Sequence, residues 1–269
     1  MDILQILQYI WLGIVQGLTE PWPVSSSGHL VIFSHFFDLR VPDLHFETFL
    51  NGASLLAVLI IYRKDLSEVA VGTVRFVVMR QPEYQRFYRL TLMLVIATIP
   101  AVIIGGLFAD EIGGELTTLT SVALALFATG TALWLIHRLN GHKQEGDISA
   151  TDAIIIGVAQ MAALAPGISR SGATIVAAMA RKIEPTTALK FSFFLSIPVS
   201  VGSLVLLAPE IYVAWTTPDQ TLLYTVSFIV ATLVSLVAIK VLIDAVASGK
   251  LLYFAIYCFI VAISLLVFS

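Results

Sequence analysis

The chain has 269 residues, 58% of them hydrophobic and 12% charged, with a net charge of −3 and a mean hydropathy of +0.93. A soluble domain carries about 25% charged residues, so no interior could hold this much apolar surface and the solvent must be lipid. The negative balance argues against nucleic acid as a partner, and a lone cysteine, Cys258, excludes an internal disulfide and a cysteine-based metal cluster.

The first element, Ile3 to Val15, is apolar and has no basic region ahead of it, so it reads as mature chain and not as a cleaved signal. It runs into Gln16–His29, which packs a carboxylate, a histidine, three consecutive serines, two prolines and two glycines between apolar runs. That stretch is too polar and too rich in helix breakers for a spanning helix. The run after it, Leu30 to Phe37, is too short to cross. Long apolar runs lie at roughly 47–62, 91–109, 117–136, 188–207, 222–243 and 251–268, each about the length that crosses a ~30 Å hydrocarbon layer. Between the third and fourth, Ala153 to Leu164 and Ala173 to Ala180 flank a second Pro/Gly/Ser break. Short helices around an irregular tip read as re-entrant hairpins, tolerated at membrane depth only where protein or a wet cavity surrounds them. The expected fold is an all-α polytopic membrane protein with six transmembrane helices plus two re-entrant helical hairpins.

The hairpins resemble each other. At an offset of 144 residues, Gly13-Ile14-Val15-Gln16 falls on Gly157-Val158-Ala159-Gln160, and Ser25-Ser26-Ser27-Gly28 on Ser169-Arg170-Ser171-Gly172. Three spans separate them, and an odd number inverts the second copy, so the duplication reads as an inverted-topology repeat with the tips meeting near the midplane. Repeat one covers about 1–136 and repeat two about 145–269, within a single membrane domain, 1–269. Loop charge gives the orientation. Segments 63–90, 137–152 and 181–182, with Lys250, carry most of the Lys and Arg and fall on one side; Asp38, Arg40, Asp43, Asp110, Glu111, Glu115, Glu210 and Asp219 fall on the other. Cytoplasmic loops are rich in Lys and Arg, so the basic side is inside and both termini are outside.

An ionisable group inside a membrane is costly and usually marks function. Glu20 beside His29 suggests proton handling, imidazole being the usual shuttle near neutral pH; the bland readings are a solvated helix end for Glu20 and a structural hydrogen bond for His29. One of Ser25, Ser26 and Ser27 serves as the N-cap of the helix that begins near Gly28. A serine next to a His–Glu pair is also the arrangement that activates a hydroxyl nucleophile. Spacing does not fix which serine, and Ser26 is only slightly favoured. Arg170, between Ser169 and Ser171 and after Pro166-Gly167, is always charged and needs an anionic partner, either Glu20 or an anionic ligand. Donors from Ser25, Ser27, Gly28, Gly167, Ser169, Ser171, Gly172 and Thr174, beside a helix N-terminus, suit phosphate. Glu47 and Asn51, one turn apart, either line the cavity or sit at the interface. Lys190 and Lys240 read as snorkelling near span ends; Pro198 and Gly105-Gly106 read as kink or packing residues.

At these residues the chain resembles the undecaprenyl-pyrophosphate phosphatases, or bacitracin-resistance proteins, essentially end to end. The resemblance rests on Gln16-x-x-x-Glu20, Pro23-Val24-Ser25-Ser26-Ser27-Gly28-His29, Phe46-Glu47 and Pro166-Gly167-Ile168-Ser169-Arg170-Ser171-Gly172-Ala173-Thr174. It implies an enzyme of the bacterial cytoplasmic membrane that removes the terminal phosphate of a C55 isoprenoid diphosphate and so recycles the carrier lipid of cell-wall synthesis, with its site reached from the outer face. It implies Ser26 as nucleophile, or His29 in some accounts, with Glu20 assisting and Arg170 holding the diphosphate. A divalent cation, Mg²⁺ or Ca²⁺, is implied near Glu20 and Gln16. Many members have Glu where Gln16 stands, and an amide is a poorer Mg²⁺ ligand than a carboxylate. A rival reading is a polyprenyl-phosphate transporter without hydrolysis, or a phosphatase that also flips its product. The sequence leaves homodimerisation open.

Overall fold

The computed structural model describes residues 3–36, 44–107, 118–163 and 167–268. Asp38, Arg40, Asp43, Asp110, Glu111 and Glu115, from the side opposite the basic segments in the sequence reading, and the motif residue Pro166 lie outside them. Every element among the described residues is helical apart from one isolated bridge, Lys143 to Ile183. In order the helices are α1 (Ile3–Thr19), α2 (Ser26–Phe36), α3 (Leu44–Ile61), α4 (Arg63–Met79), α5 (Gln85–Leu107), α6 (Leu119–Ile136), α7 (Ala150–Ala162), α8 (Arg170–Ala180), α9 (Pro185–Leu206), α10 (Ala208–Thr216), α11 (Pro218–Ala247) and α12 (Leu251–Phe268).

Six of them, α3, α5, α6, α9, α11 and α12, are long and apolar enough to cross a membrane. This agrees with the six runs in the sequence, though α5 begins six residues before its apolar run and α11 extends past its run at both ends. α11 has 30 residues, and its excess over the roughly 20 needed to span follows from Pro218, which opens the helix at its first position. Two helices, α4 and α10, stand where the sequence suggested only loops.

Capping sets several starts. The Thr118 hydroxyl accepts from the Ser121 N–H (3.1 Å) ahead of α6, and the Ser149 hydroxyl from the Asp152 N–H (3.2 Å) ahead of α7, each satisfying an amide that the helix leaves unpaired. Glu184 caps α9 through the Thr187 N–H (2.9 Å), with Pro185 just inside. Burial raises the Glu184 carboxyl, and its bonds to Thr186 and Thr187 outweigh that and hold it below the usual range.

The packing pairs elements across the chain. α1 lies on α11, α7 on α5, α3 on α9, and α6 on α12. Glycine makes two of these crossings close. A Cβ on Gly13 or Gly17 would come within 2.7 Å of the Ser227 or Ala231 carbonyl oxygen, and one on Gly157 within 2.4 Å of the Ala97 oxygen. Gly13-x-x-x-Gly17 is thus a small-residue seam of the kind that lets membrane helices approach.

The basic segments come together. The His142 and Lys143 amides both donate to the Lys182 carbonyl (3.0 Å each). Asp152, fully buried, is held by Lys143 and Arg181 (2.8 Å each). Lys190 does not snorkel as expected: it bonds Asp65, and Glu145 at 2.8 Å. The first hydrophilic loop, the second and the end of α8 therefore share one face of the protein.

Candidate active site

The two helix breaks meet in the middle of this packing. α1 continues through a last bond from the Glu20 amide to the Gln16 carbonyl (2.9 Å) and stops because Pro21 and Pro23 cannot donate. Spaced by four, Gln16 and Glu20 share a face. Trp22 anchors the break by donating its indole N–H to the Ala238 carbonyl of α11 (3.1 Å). The chain turns at Ser25, whose φ of 67° lies in the left-handed region that few side-chain-bearing residues adopt. Its hydroxyl then accepts from the Gly28 amide (3.2 Å) and starts α2.

The second break ends in the same way. The Ser169 hydroxyl accepts from the Gly172 amide (3.1 Å), and Ser169 and Ser171 hydroxyls lie 3.3 Å apart, as those of Ser25 and Ser27 lie 3.4 Å apart. Two bonds stitch the breaks: the Gly167 amide to the Ser27 hydroxyl (3.4 Å), and the Ser171 hydroxyl to the Trp22 carbonyl (3.1 Å). Gly167, at φ 89°, passes so close to α6 that a Cβ would sit 2.9 Å from the Ala125 methyl.

Between the breaks lies an ion pair. Arg170 Nη2 donates to Glu20 Oε1 (2.6 Å) and Nη1 to the Ser200 hydroxyl (3.2 Å). The other Glu20 oxygen, Oε2, accepts from the Ser26 hydroxyl. Asn51 Oδ1 takes the Gln16 amide N–H at 2.6 Å. A small cavity of about 20 Å³ borders Glu20, Asn51, Arg170, Ser171, Ser196 and Ser200, room for about one water. The site thus joins Glu20, Ser26, Arg170, Ser171, Gln16 and Asn51.

It does not join His29 to them by hydrogen bonds. The ring Nδ1 is 2.7 Å from the Ser25 carbonyl oxygen, which only accepts, so Nδ1 carries the proton. Nε2 then accepts from the Tyr257 hydroxyl (2.7 Å), and the two rings stack with centroids 5.6 Å apart. Thr174 also turns away, its hydroxyl bonding the Arg170 carbonyl (3.0 Å) and Ser192 (2.6 Å). Glu47 is half-buried one turn before Asn51 on α3. The sequence reading missed Ser200 and Tyr257. The Ser192-x-x-x-Ser196-x-x-x-Ser200 stripe carried a signal, one face of a span lined with hydroxyls; Tyr257, one of two tyrosines in the last span, carried none.

As to a cation, Gln16 Oε1 is a buried acceptor with no bond partner, and the nitrogen of the same amide lies 3.4 Å from Glu20 Oε2. No group of three or more His, Cys, Asp and Glu side chains among the described residues could hold an ion. One carboxylate and one orphaned amide oxygen fit Mg²⁺ in the manner in which it is commonly bound, by few protein ligands with waters and substrate phosphates completing the shell.

Six apolar helices long enough to span, with a half-buried Arg–Glu–Ser cluster among them, define a polytopic membrane protein with a polar site inside it. The family model for "Bacitracin resistance protein BacA" matches residues 9–264, and the chain belongs to that family. It is 47% identical over 266 residues to the undecaprenyl-diphosphatase of Oceanobacillus iheyensis, covering 98% of this chain and 96% of that one. It is 44% identical over 270 residues to undecaprenyl-diphosphatase 1 of Bacillus licheniformis, covering both chains in full.

Proposed function

We propose that the protein is a phosphatase of the bacterial cytoplasmic membrane that hydrolyses undecaprenyl diphosphate to undecaprenyl phosphate and inorganic phosphate, recycling the carrier lipid of the cell wall. One observation carries the reading: Arg170 and Ser26, from different breaks, converge on the two oxygens of Glu20. A cation, a carboxylate base and a hydroxyl are the parts that phosphoryl transfer by an enzyme nucleophile requires.

In this mechanism Glu20 takes the Ser26 proton, and Ser26 Oγ attacks the terminal phosphorus in line. The bond to the bridging oxygen breaks, and undecaprenyl phosphate leaves with the proton that Glu20 took. Glu20, again a carboxylate, then takes a proton from water as its oxygen attacks the phosphoserine phosphorus; the P–Oγ bond breaks, the proton passes to Ser26 Oγ, and inorganic phosphate leaves. Arg170, with the Ser171 hydroxyl and the N-terminal amides of α8, stabilises charge on the phosphates. Because a ~20 Å³ cavity cannot admit a diphosphate, the Arg170–Glu20 pair parts on binding and Arg170 turns to the phosphates. His29 holds the Ser25 turn that aims Ser26; with both ring nitrogens bonded, we give it no proton to carry. Gln16 and Glu20 would hold Mg²⁺ or Ca²⁺, which when bound supplies further charge neutralisation on the phosphates.

We read α1–α2 and α7–α8 as re-entrant hairpins of an inverted-topology repeat. The matched serine caps and the exchange of first arms, α1 onto α11 and α7 onto α5, support this. The basic face is then cytoplasmic, and the site opens outward. Release of phosphate from undecaprenyl or farnesyl diphosphate by the purified chain tests the reading, with loss of release in EDTA expected. Lipid movement in proteoliposomes with no phosphate released would favour a transporter, which paired midplane tips also suit.

A further inference from the structure

A second cavity, about 520 Å³, lies between α4, α5 and α9, in the size range of small-ligand pockets. It is on the far side of α9 from the Arg–Glu cluster. Ser196 and Ser200 border the polar cavity, whereas Phe194 and Pro198 border this one, positions on opposite flanks of a 3.6-residue helix. Along α5 it runs from Thr91 to Ile103, a rise of about 18 Å. Its two hydroxyls are already bonded, Thr98 to the Leu94 carbonyl and Thr91 to Thr73, both at 2.8 Å. What it offers an occupant is hydrocarbon. It opens beside Val95, Ile99 and Val102, all exposed on a membrane-crossing helix, so it is continuous with the lipid-facing surface.

The helix that forms one wall of this groove starts with two cations, Arg63 and Lys64. Leu66 and Ala70 of α4 line it, and Arg63, three and seven residues earlier, shares their helix face. Arg63 gives one N–H to the Ile60 carbonyl (2.9 Å) and is otherwise exposed, as is Lys64. The nearby Asp65 is taken by Lys190. Further along, Arg75, Arg80 and Arg86 stack on Tyr84, Phe76 and Phe87. Glu68 is the exposed acid of α4, and Val71, Val74 and Val78 stand exposed beside it. A helix with a valine stripe and a basic flank lies in a membrane interface.

We propose that α4 and this groove form a site for an anionic glycerophospholipid of the leaflet on the basic face, one acyl chain in the groove and the phosphate at Arg63 and Lys64. Charge complementarity with the headgroup selects an anionic lipid, and separation by α9 makes the site independent of the polar cluster. The test is titration of the detergent-purified full chain with phosphatidylglycerol or phosphatidylcholine of matched acyl chains, read by native mass spectrometry. Phosphatidylglycerol is expected to bind one per chain and about tenfold or more tighter, given the ~1 kcal/mol that each basic residue contributes near a membrane surface. Arg63→Gln with Lys64→Gln, both on the surface and outside the core, should abolish that preference. Val95→Trp, which fills the groove, should weaken both lipids. Equal binding of the two lipids, a preference that survives the double substitution, or displacement of phosphatidylglycerol by farnesyl diphosphate would overturn the proposal.

Discussion

The two helix breaks share one scaffold and carry different chemistry. In each, a serine hydroxyl caps the amide three residues on, a second serine lies within 3.4 Å of the first, and a glycine upstream brings the preceding helix against a long span. The aligned residues then diverge: Ser26 against Arg170, Glu20 against Leu164, His29 against Ala173. Neither break holds a complete site. The first offers an acceptor and a hydroxyl, the second a cation, and only their contact joins them. The residues the two breaks share make the turns, and those that differ make up the Glu20–Arg170–Ser26 cluster.

The sharpest way to break this comparison is to remove one partner from each side. Arg170→Ala and Glu20→Ala should each lower kcat/KM for prenyl diphosphate hydrolysis by about a thousandfold, the scale at which lost charge stabilisation is felt in phosphoryl transfer. The double variant should be little worse than either, since the two act as a unit. Swapping the charges, Glu20→Arg with Arg170→Glu, should recover thermal stability lost by the single variants and leave hydrolysis absent. Stability and activity both returning would mean that the pair is only a strut.

Next in size is a contrast between serines. Ser26→Ala should cost about a thousandfold if its oxygen is the nucleophile, whereas Ser171→Ala should cost about tenfold, the loss of one hydroxyl bond to the phosphates. A carrier that does not hydrolyse would tolerate Ser26→Ala in a proteoliposome lipid-movement assay. Ser25→Ala and Ser169→Ala, the matched caps, should instead each cost about 1 kcal/mol of stability, read as similar drops in Tm.

The cation gives a smaller effect. Gln16→Glu should lower the Mg²⁺ concentration for half-maximal phosphate release by about tenfold, since it adds a carboxylate beside Glu20. Gln16→Ala should raise it. Unchanged Mg²⁺ dependence in both would move the cation away from this corner of the site.

Much of this was legible in the sequence. The six spans stood out because every backbone group in lipid must be paired within its own helix, which forces long apolar runs. The two breaks stood out because Pro21, Pro23 and Gly167 cannot continue a helix among apolar neighbours. Arg170 was legible as a charge needing a partner, with Glu20 one of two choices; the structure pairs them. What stayed hidden depends on contact across the fold. His29 read as a neighbour of Ser26, but one turn of α2 points it at Tyr257, 228 positions away. Lys190 read as a snorkelling end because Asp65 and Glu145 reach it only through tertiary packing. α4 was hidden because its apolar residues are split between a packed face and an exposed valine face, with Arg and Lys between.

The bases of the two helix pairs differ as well, and pH separates them. In the second pair Asp152, in the first turn of α7, is enclosed and binds Lys143, Arg181 and the Ser149 hydroxyl. In the first pair the aligned position is Gln8, half-buried and uncharged. Burial alone would raise the Asp152 carboxyl, but the bonds from Lys143, Ser149 and Arg181 outweigh it and hold the group well below the usual carboxylate range. A carboxyl depressed in the folded state stabilises it fully above the unfolded value near 3.9 and loses that contribution as pH falls toward the folded value. Asp152→Asn should therefore lower Tm at neutral pH, by an amount equivalent to about 1 kcal/mol, because both cations are partly exposed. The gap to the unsubstituted chain should stay constant above about pH 5 and close on acidification. Gln8→Ala should show no pH-dependent gap. A constant Asp152→Asn deficit down to about pH 2 would mean that the residue acts by capping α7 and not by its charge.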